Sequence, residues 1–206
     1  PMSHNEQPNN MKQKGFTLIE TLVAILILSM TVGALLSLAA GGFYSVRYGR
    51  NQIVANNLLQ ESLEYVRNSR DTAFLQGADW QGWLQMLSVD TQGQPVVSSG
   101  RGAGGAGCFG PTGCYVDPYT ATAPIKACSR VCPAVEYYAD QSLYGYDGSY
   151  PFSGSESVTT SYVRTISVTR STLDQDQVVV TGTISWLDGQ TTKRLTQSIV
   201  IANWRP

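Results

Sequence analysis

The sequence KGFTLIE occupies residues 14–20, and an apolar run follows it from Thr21 to about Ala40. Glu20 is the only charged residue between Phe16 and Ala40. A helix over that range would be roughly 37 Å long at 1.5 Å per residue, enough to cross the ~30 Å hydrocarbon layer of a membrane. Because a carboxylate in lipid costs about 2.5–3.5 kcal/mol or more, we predict a function for Glu20.

Two simpler interpretations of this N-terminal segment are a secretory signal peptide and a permanent membrane anchor. A secretory signal peptide fits poorly, because its apolar core is usually ~7–15 residues long and its small-residue cleavage site follows that core. In this chain the small residue, Gly15, precedes the apolar run. A permanent single-span anchor with an extracellular domain behind it remains an alternative.

Residues 14–20 closely resemble the class III signal of type IV prepilins and type II secretion pseudopilins. The resemblance implies that a prepilin peptidase cleaves between Gly15 and Phe16, and that the new terminus at Phe16 is N-methylated. It also implies that Glu20 pairs with the terminal ammonium of a neighbouring subunit during filament assembly. Such a pair would compensate the carboxylate inside a helix bundle.

The same resemblance implies partners and a location. The partners are other pilin or pseudopilin subunits, the prepilin peptidase, the pilus assembly platform and membrane lipid. The chain would cross the cytoplasmic membrane once, with its N-terminus inside and its C-terminal domain outside, and would then enter an extracellular or periplasmic filament. Residues 55–71 are also similar, more loosely, to minor pilins of the V class and pseudopilins of the I class. The expected function is that of a structural filament subunit; a binding or adhesion module at the filament tip is the alternative.

Composition argues against several other functions. The 206 residues carry a formal net charge of −1 and only 14% charged residues, without a basic patch, so no nucleic-acid partner is predicted. The only histidine is His4, inside the expected leader, so the processed chain would have none for catalysis or metal binding. Nucleophile-elbow, zinc-protease and phosphate-loop motifs are absent from the sequence. We therefore predict no enzyme activity, no catalytic residue, no cofactor and no metal.

The residue pattern and the resemblance together predict an α+β, pilin-like fold, in which a long N-terminal helix packs on a C-terminal antiparallel β-sheet. After the apolar run the helix becomes amphipathic, and the end of the helix is expected at 68–71. The apolar positions of this stretch recur three, four and seven residues apart: Val46, Ile53, Val54, Leu58, Leu59, Leu63 and Val66. The predicted divisions are a leader at 1–15, a transmembrane or filament-core helix at 16–40, its amphipathic continuation at 41–71, a variable loop region with the cysteines at 72–157, and an antiparallel β-meander at 158–206.

The meander is predicted from three alternating stretches, at 158–170, 177–187 and 190–204. Asp188-Gly189 lies between the second and third stretches and is typical of a two-residue hairpin turn. Three strands with one apolar face need cover, which the amphipathic part of the helix would supply.

The variable region offers several candidate features. A short helix is expected at 78–87, where Trp80 and Trp83 either pack in the core or grip a sugar or peptide; the core is the favoured interpretation. Residues 98–107 have the composition of a flexible loop. The tyrosines of residues 136–157 either form an adhesive surface or pack on the sheet, and packing is favoured.

Four cysteines lie in this region, at Cys108, Cys114, Cys128 and Cys132, which agrees with an oxidising compartment. Short loops close at the lowest entropic cost, so Cys108–Cys114 and Cys128–Cys132 are the favoured disulfides. A nested pairing, Cys108–Cys132 with Cys114–Cys128, stays open. A zinc site is a weaker rival, because the spacings match zinc motifs poorly.

Overall fold

The computed structural model describes residues 15–94, 107–120, 123–146, 154–171, 174 and 176–204. It confirms the α+β class: a long N-terminal helix followed by an antiparallel sheet. The helices are α1 (Leu18–Leu75) and α2 (Trp80–Met86), with a single 3-10 turn at Gly107–Phe109. The strands are β1 (Cys114–Val116), β2 (Ile125–Ala127), β3 (Ala134–Tyr138), β4 (Leu143–Gly145), β5 (Val158–Arg170), β6 (Gln177–Asp188) and β7 (Thr191–Ala202).

The chain divides into two units, residues 1–48 and residues 49–206. In the first unit, residues 18–48 are helical and every side chain from Gly15 to Arg47 is exposed. This part of α1 is long and apolar enough to cross a membrane. The predicted leader lies outside the described residues except for Gly15.

In the second unit, α1 buries one stripe of side chains on the sheet. The stripe comprises Ala55, Leu58, Leu59, Ser62, Leu63, Val66, Arg70 and Ala73. These positions recur every three or four residues, as expected for one face of a helix. Two predicted members of the stripe, Val46 and Ile53, are instead exposed, so that part of the prediction was wrong.

Helix α1 ends at Leu75, four residues later than the predicted end at 68–71. Gly77 has a φ of 85°, a left-handed conformation that glycine adopts without the steric cost of a Cβ. Its N–H bonds to Phe74 O at 3.0 Å, and the N–H of Ala78 bonds to Ala73 O at 2.9 Å. This pair of hydrogen bonds is a Schellman motif, which closes the helix.

Strand β5 organises the sheet. It pairs with β6 along residues 163–170, and β6 pairs with β7 over twelve residue pairs, which gives the expected meander. On its other side β5 pairs with β1 at Ile166 and with β3 over residues 158–163. The outer partners β2 and β4 then complete a sheet of seven strands in the described part of the chain.

Four of these strands lie in the region that was expected to be variable loop. Strands β1, β2 and β4 have three residues each and β3 has five. A strand of three to five residues contains only one or two repeats of the two-residue alternation, which is too few to be recognised in the sequence. Strands β1 and β3 pair with the long strand β5, and β2 and β4 pair with β1 and β3 in turn, so these short strands depend on tertiary pairing.

The helix lies very close to the centre of the sheet at Gly182. A Cβ atom added to this residue of β6 would stand 2.6 Å from Leu59 Cδ1 and 3.2 Å from Leu63 Cδ2. The absent side chain is therefore what admits two leucines of α1 to the sheet. The main apolar cluster extends from here through Ile166, Val180 and Ile184.

Candidate functional site

The residues of the expected processing site lie at the start of α1. Gly15, Phe16 and Thr17 precede the first helical residue, Leu18, and Phe16 is 82% exposed. A peptidase needs an extended and accessible substrate. A helical segment is a poor substrate, because its backbone N–H and C=O groups are already bonded to one another. The expected scissile bond, between Gly15 and Phe16, thus lies in backbone that an enzyme can reach.

Gly15 has no structural reason of its own to be glycine. A Cβ at this position would meet no atom within 4 Å, and the φ angle of Gly15 does not lie in the left-handed region. A larger side chain would therefore fit the described structure without strain. The described structure therefore does not explain why this residue is glycine.

Glu20 occupies the first turn of α1 and is exposed. Its backbone N–H bonds to Thr17 O at 3.1 Å and approaches Thr17 Oγ1 at 3.4 Å, so Thr17 is the residue that caps the helix. A negative charge at this end also interacts favourably with the helix dipole. Thr17 was not predicted; the signal was the spacing T-x-x-E ahead of an apolar run.

The cysteines form two disulfides, Cys108–Cys114 and Cys128–Cys132, which is the pairing favoured by the short loops. All four residues are buried. The two loops are joined by hydrogen bonds, because Thr112 Oγ1 donates to Cys128 O at 2.8 Å and Cys128 N donates to Gly113 O at 3.0 Å. Each of the four sulfur atoms belongs to one of these two disulfides and is therefore not a thiolate that could bind zinc.

The tryptophans of α2 belong to the core. Trp80 and Trp83 are 5% and 0% exposed, with ring centroids 5.0 Å apart, and Trp83 Nε1 donates to Ser69 Oγ on α1. The packing interpretation was therefore right, and a ligand-gripping tryptophan pair was wrong.

The tyrosines divide into two groups. Tyr138 and Tyr146 are buried, whereas Tyr137 and Tyr144 are partly exposed and stack at 5.0 Å. Tyr150 lies outside the described residues, as does the flexible loop predicted at 98–107 except for Gly107. The expectation of an aromatic surface thus applies to Tyr137 and Tyr144 alone among these four.

One buried cation connects the helix to the sheet. Arg164 of β5 is 1% exposed, although arginine is rarely buried unless it is paired. Its Nη1 donates to Leu58 O at 2.8 Å and to Glu61 Oε2 at 2.6 Å, and its Nη2 donates to Val116 O at 2.6 Å. Arg164 lies two residues before Ile166 in the alternating stretch 158–170 and so shares its face of the strand, and a charge on that apolar face was the available signal.

A second buried charge, Asp117, directly follows β1 and is fully buried. Thr120 Oγ1 donates to Asp117 Oδ2 at 2.6 Å, and Lys126 Nζ lies 4.0 Å from the same oxygen. Asp117 thus shapes the turn between β1 and β2. Among the described residues, no group of three or more histidine, cysteine, aspartate or glutamate side chains could hold a metal ion.

Comparison with known proteins identifies the N-terminal segment. The family model of the prokaryotic N-terminal methylation motif matches residues 10–41. This motif is the class III signal of type IV prepilins and pseudopilins, so residues 10–41 are similar to the N-terminal segment of those proteins. No curated protein and no solved structure matches the chain.

Proposed function

We propose that this chain is a structural subunit of a type IV pilus-like filament, as a minor pilin or a pseudopilin. The observation that carries the proposal is that the methylation motif at 10–41 overlaps the part of α1, residues 18–47, in which every residue is exposed. An uncovered apolar helix needs lipid or other helices around it. A filament subunit uses both in turn, lipid before assembly and neighbouring subunits afterwards.

In this proposal a prepilin peptidase cleaves between Gly15 and Phe16, and Phe16 is then N-methylated. The free space around Gly15 supports the first step, because the fold itself does not need a glycine there. The exposed, non-helical backbone of Gly15 and Phe16 supports access of the peptidase.

Glu20 would hold the register of assembly by pairing with the Phe16 ammonium of a neighbouring subunit. In the described part of the chain, the Glu20 carboxylate has no ion pair of its own. A carboxylate moving from lipid into a helix bundle needs a cation, and the new terminus of a neighbour is one. The globular unit would lie outside the cytoplasmic membrane, where disulfides are stable.

N-terminal peptide mass spectrometry on protein extracted from membranes tests the proposal. The expected result is a terminus at Phe16 that carries one methyl group, and the loss of this species in cells without prepilin peptidase. A terminus at Met2 or Met11 would instead indicate a permanently anchored protein and would overturn the proposal.

A pair of glycine variants sharpens this experiment. Gly15→Leu should leave the chain uncleaved in the membrane, because peptidase recognition is lost. Gly33→Leu is the matched control, since a Cβ at Gly33 also meets no atom within 4 Å. Equal cleavage of the two variants would contradict recognition at Gly15.

A further inference from the structure

A cavity of about 540 Å³ opens on the second unit, beside the tyrosines that stack on the sheet. Its walls come from three elements: α1 contributes Arg50, the β3–β4 hairpin contributes Tyr137, Ser142 and Tyr144, and β5 contributes Thr159. This cavity is separate from the processing segment at residues 15–20.

The cation in the wall of this cavity is uncompensated. Arg50 is exposed, and within the described ranges its guanidinium makes neither a hydrogen bond nor an ion pair. No aspartate or glutamate is among the described residues that line the cavity. An unpaired guanidinium facing a cavity is suited to an oxyanion, which it binds through two parallel N–H donors.

The aromatic wall is ordered and carries free hydroxyls. The rings of Tyr137 and Tyr144 stack at 5.0 Å, and Tyr162 meets Tyr144 edge to face at 6.4 Å. In the part of the chain that the structure describes, the hydroxyls of Tyr137 and Tyr144 have no hydrogen-bond partner. Desolvation by burial raises the pKa of Tyr144, and the nearby positive charge of Arg50 opposes that rise. Tyr144 is therefore a neutral donor at physiological pH.

The hairpin that holds these tyrosines carries backbone strain at the cavity. Ser142, which joins β3 to β4, has a φ of 55°, and it is the only residue other than glycine with a positive φ among those described. A left-handed serine is uncommon and has a conformational cost, and such residues cluster at sites that clamp ligands. Ser142 is one of the residues that line the cavity.

The lining favours one chemical class of ligand. Tyrosine rings offer a flat surface for the C–H face of a sugar ring, while serine, threonine and tyrosine hydroxyls match sugar hydroxyls. Only Ala139 and Val158 are aliphatic among the described lining residues, which is too little apolar surface for a lipid chain. The uncompensated Arg50 adds a preference for a carboxylate on that sugar.

The site is longer than one sugar ring. A second cavity of about 330 Å³ shares Ser142 and Tyr144 with the first and continues along α1 past Asn57 to Tyr119. The carboxylate of Glu61 in this second cavity is held by Arg164 and so is already compensated. We propose that the groove formed by Arg50, Tyr137, Ser142 and Tyr144 binds an acidic oligosaccharide, with Arg50 on a uronate carboxylate and the tyrosines against the sugar rings.

Calorimetry on the full-length chain in detergent micelles tests this proposal with a defined probe, tri-galacturonate. Arg50→Gln should weaken the affinity for the trisaccharide by about tenfold or more, since a charge-assisted bidentate contact is lost. Tyr144→Ala should weaken it as well. Arg47→Gln is the matched control, because it removes the same charge from the same helix at an exposed position outside the cavity, and it should bind as the wild type does.

The ligand controls decide between the alternatives. The methyl-esterified trisaccharide should bind at least tenfold more weakly, because esterification removes the negative charge. Equal binding of the ester, no binding of the acid, or loss of affinity in Arg47→Gln equal to that in Arg50→Gln would each overturn the proposal. So would binding of inorganic phosphate or of an acidic peptide as tight as that of the trisaccharide. All these measurements use purified chain, and their outcome is independent of cleavage or filament assembly.

Discussion

At the scale of single residues, the position of Glu20 at the helix terminus must be distinguished from the role proposed for it in assembly. It stands in the first turn of α1, where Thr17 caps the helix and where any acidic residue is favoured by the helix dipole. The proposed pairing with Phe16 of a neighbouring subunit would be an additional role, and it would apply only during assembly. A substitution that keeps the shape of the side chain and removes its charge distinguishes the two.

Glu20→Gln should be cleaved and methylated normally but should enter filaments poorly, because the neighbour's ammonium loses its counter-charge in an apolar environment. The measurement is the ratio of the variant to the wild type in sheared filaments and in membranes, by quantitative immunoblot. Thr21→Val, which changes the next residue and leaves the charge in place, is the control. Incorporation of Glu20→Gln at the wild-type level would contradict charge pairing.

At the scale of elements, the contact between α1 and the sheet depends on the small size of one residue. Gly182 lies under Leu59 and Leu63, with no space for a Cβ. The missing side chain of Gly182 therefore allows helix and sheet to approach each other closely at this point.

Gly182→Ala should destabilise the second unit by about 1–3 kcal/mol, because the leucines of α1 must shift to admit the methyl group. Denaturant unfolding followed by tryptophan fluorescence gives the change in free energy. Thr181→Ala, which alters the adjacent position on the opposite face of β6, is the control and should change stability by less than about 1 kcal/mol. Equal effects of the two substitutions would show that Gly182 is not a point of close approach.

The same interface depends on a buried charge. Arg164→Met should cost about 3–5 kcal/mol, since it leaves Val116 O and the Glu61 carboxylate without their donors. Glu61→Gln should cost less, because the Glu61 side chain is 36% exposed and an amide oxygen still accepts a hydrogen bond. The two variants are compared in the same unfolding assay. A larger loss in Glu61→Gln than in Arg164→Met would mean that the backbone carbonyls contribute little.

At the scale of the whole molecule, the tyrosines make stability dependent on pH. Burial raises the pKa values of Tyr115, Tyr146 and Tyr162, with smaller effects from neighbouring charges. The unfolded chain ionises near the ordinary value of about 10. The pKa values of these tyrosines are higher in the folded state than in the unfolded chain. Their contribution to the stability of the fold is therefore complete below pH ~10 and is lost as the pH rises through the folded-state pKa values.

The free energy of unfolding should therefore be level with respect to these groups up to pH ~10 and should fall above it. In the variant Tyr146→Phe, the free energy of unfolding should fall less steeply with pH. The substitution removes the most buried phenol of the three and keeps the aromatic ring beside Arg164. Urea titrations from about pH 8 to 11 measure both slopes. Identical slopes for the variant and the wild type would rule out Tyr146 as a source of the alkaline loss.

Prediction from sequence succeeded where the pattern is long. Strands β5, β6 and β7 alternate over twelve or thirteen residues, and their predicted bounds differ from the observed ones by at most two residues. Prediction from sequence missed the short strands of residues 114–145, and it wrongly placed the exposed Ile53 in the buried stripe of α1. It also placed the end of α1 too early, because the closing signal was the left-handed Gly77 and not the polar residues before it.

The sequence by itself determined the processing motif at residues 14–20, the apolar helix and the three long strands. Each of these features is recognisable from the spacing or the period of residues that are close together in the sequence. Only the tertiary structure decided that Arg164 would donate to carbonyls 106 and 48 residues away, and that Arg50 would share a cavity with Tyr137 and Tyr144. Such contacts depend on how the elements pack, and packing joins residues whose distance along the chain carries no local signal.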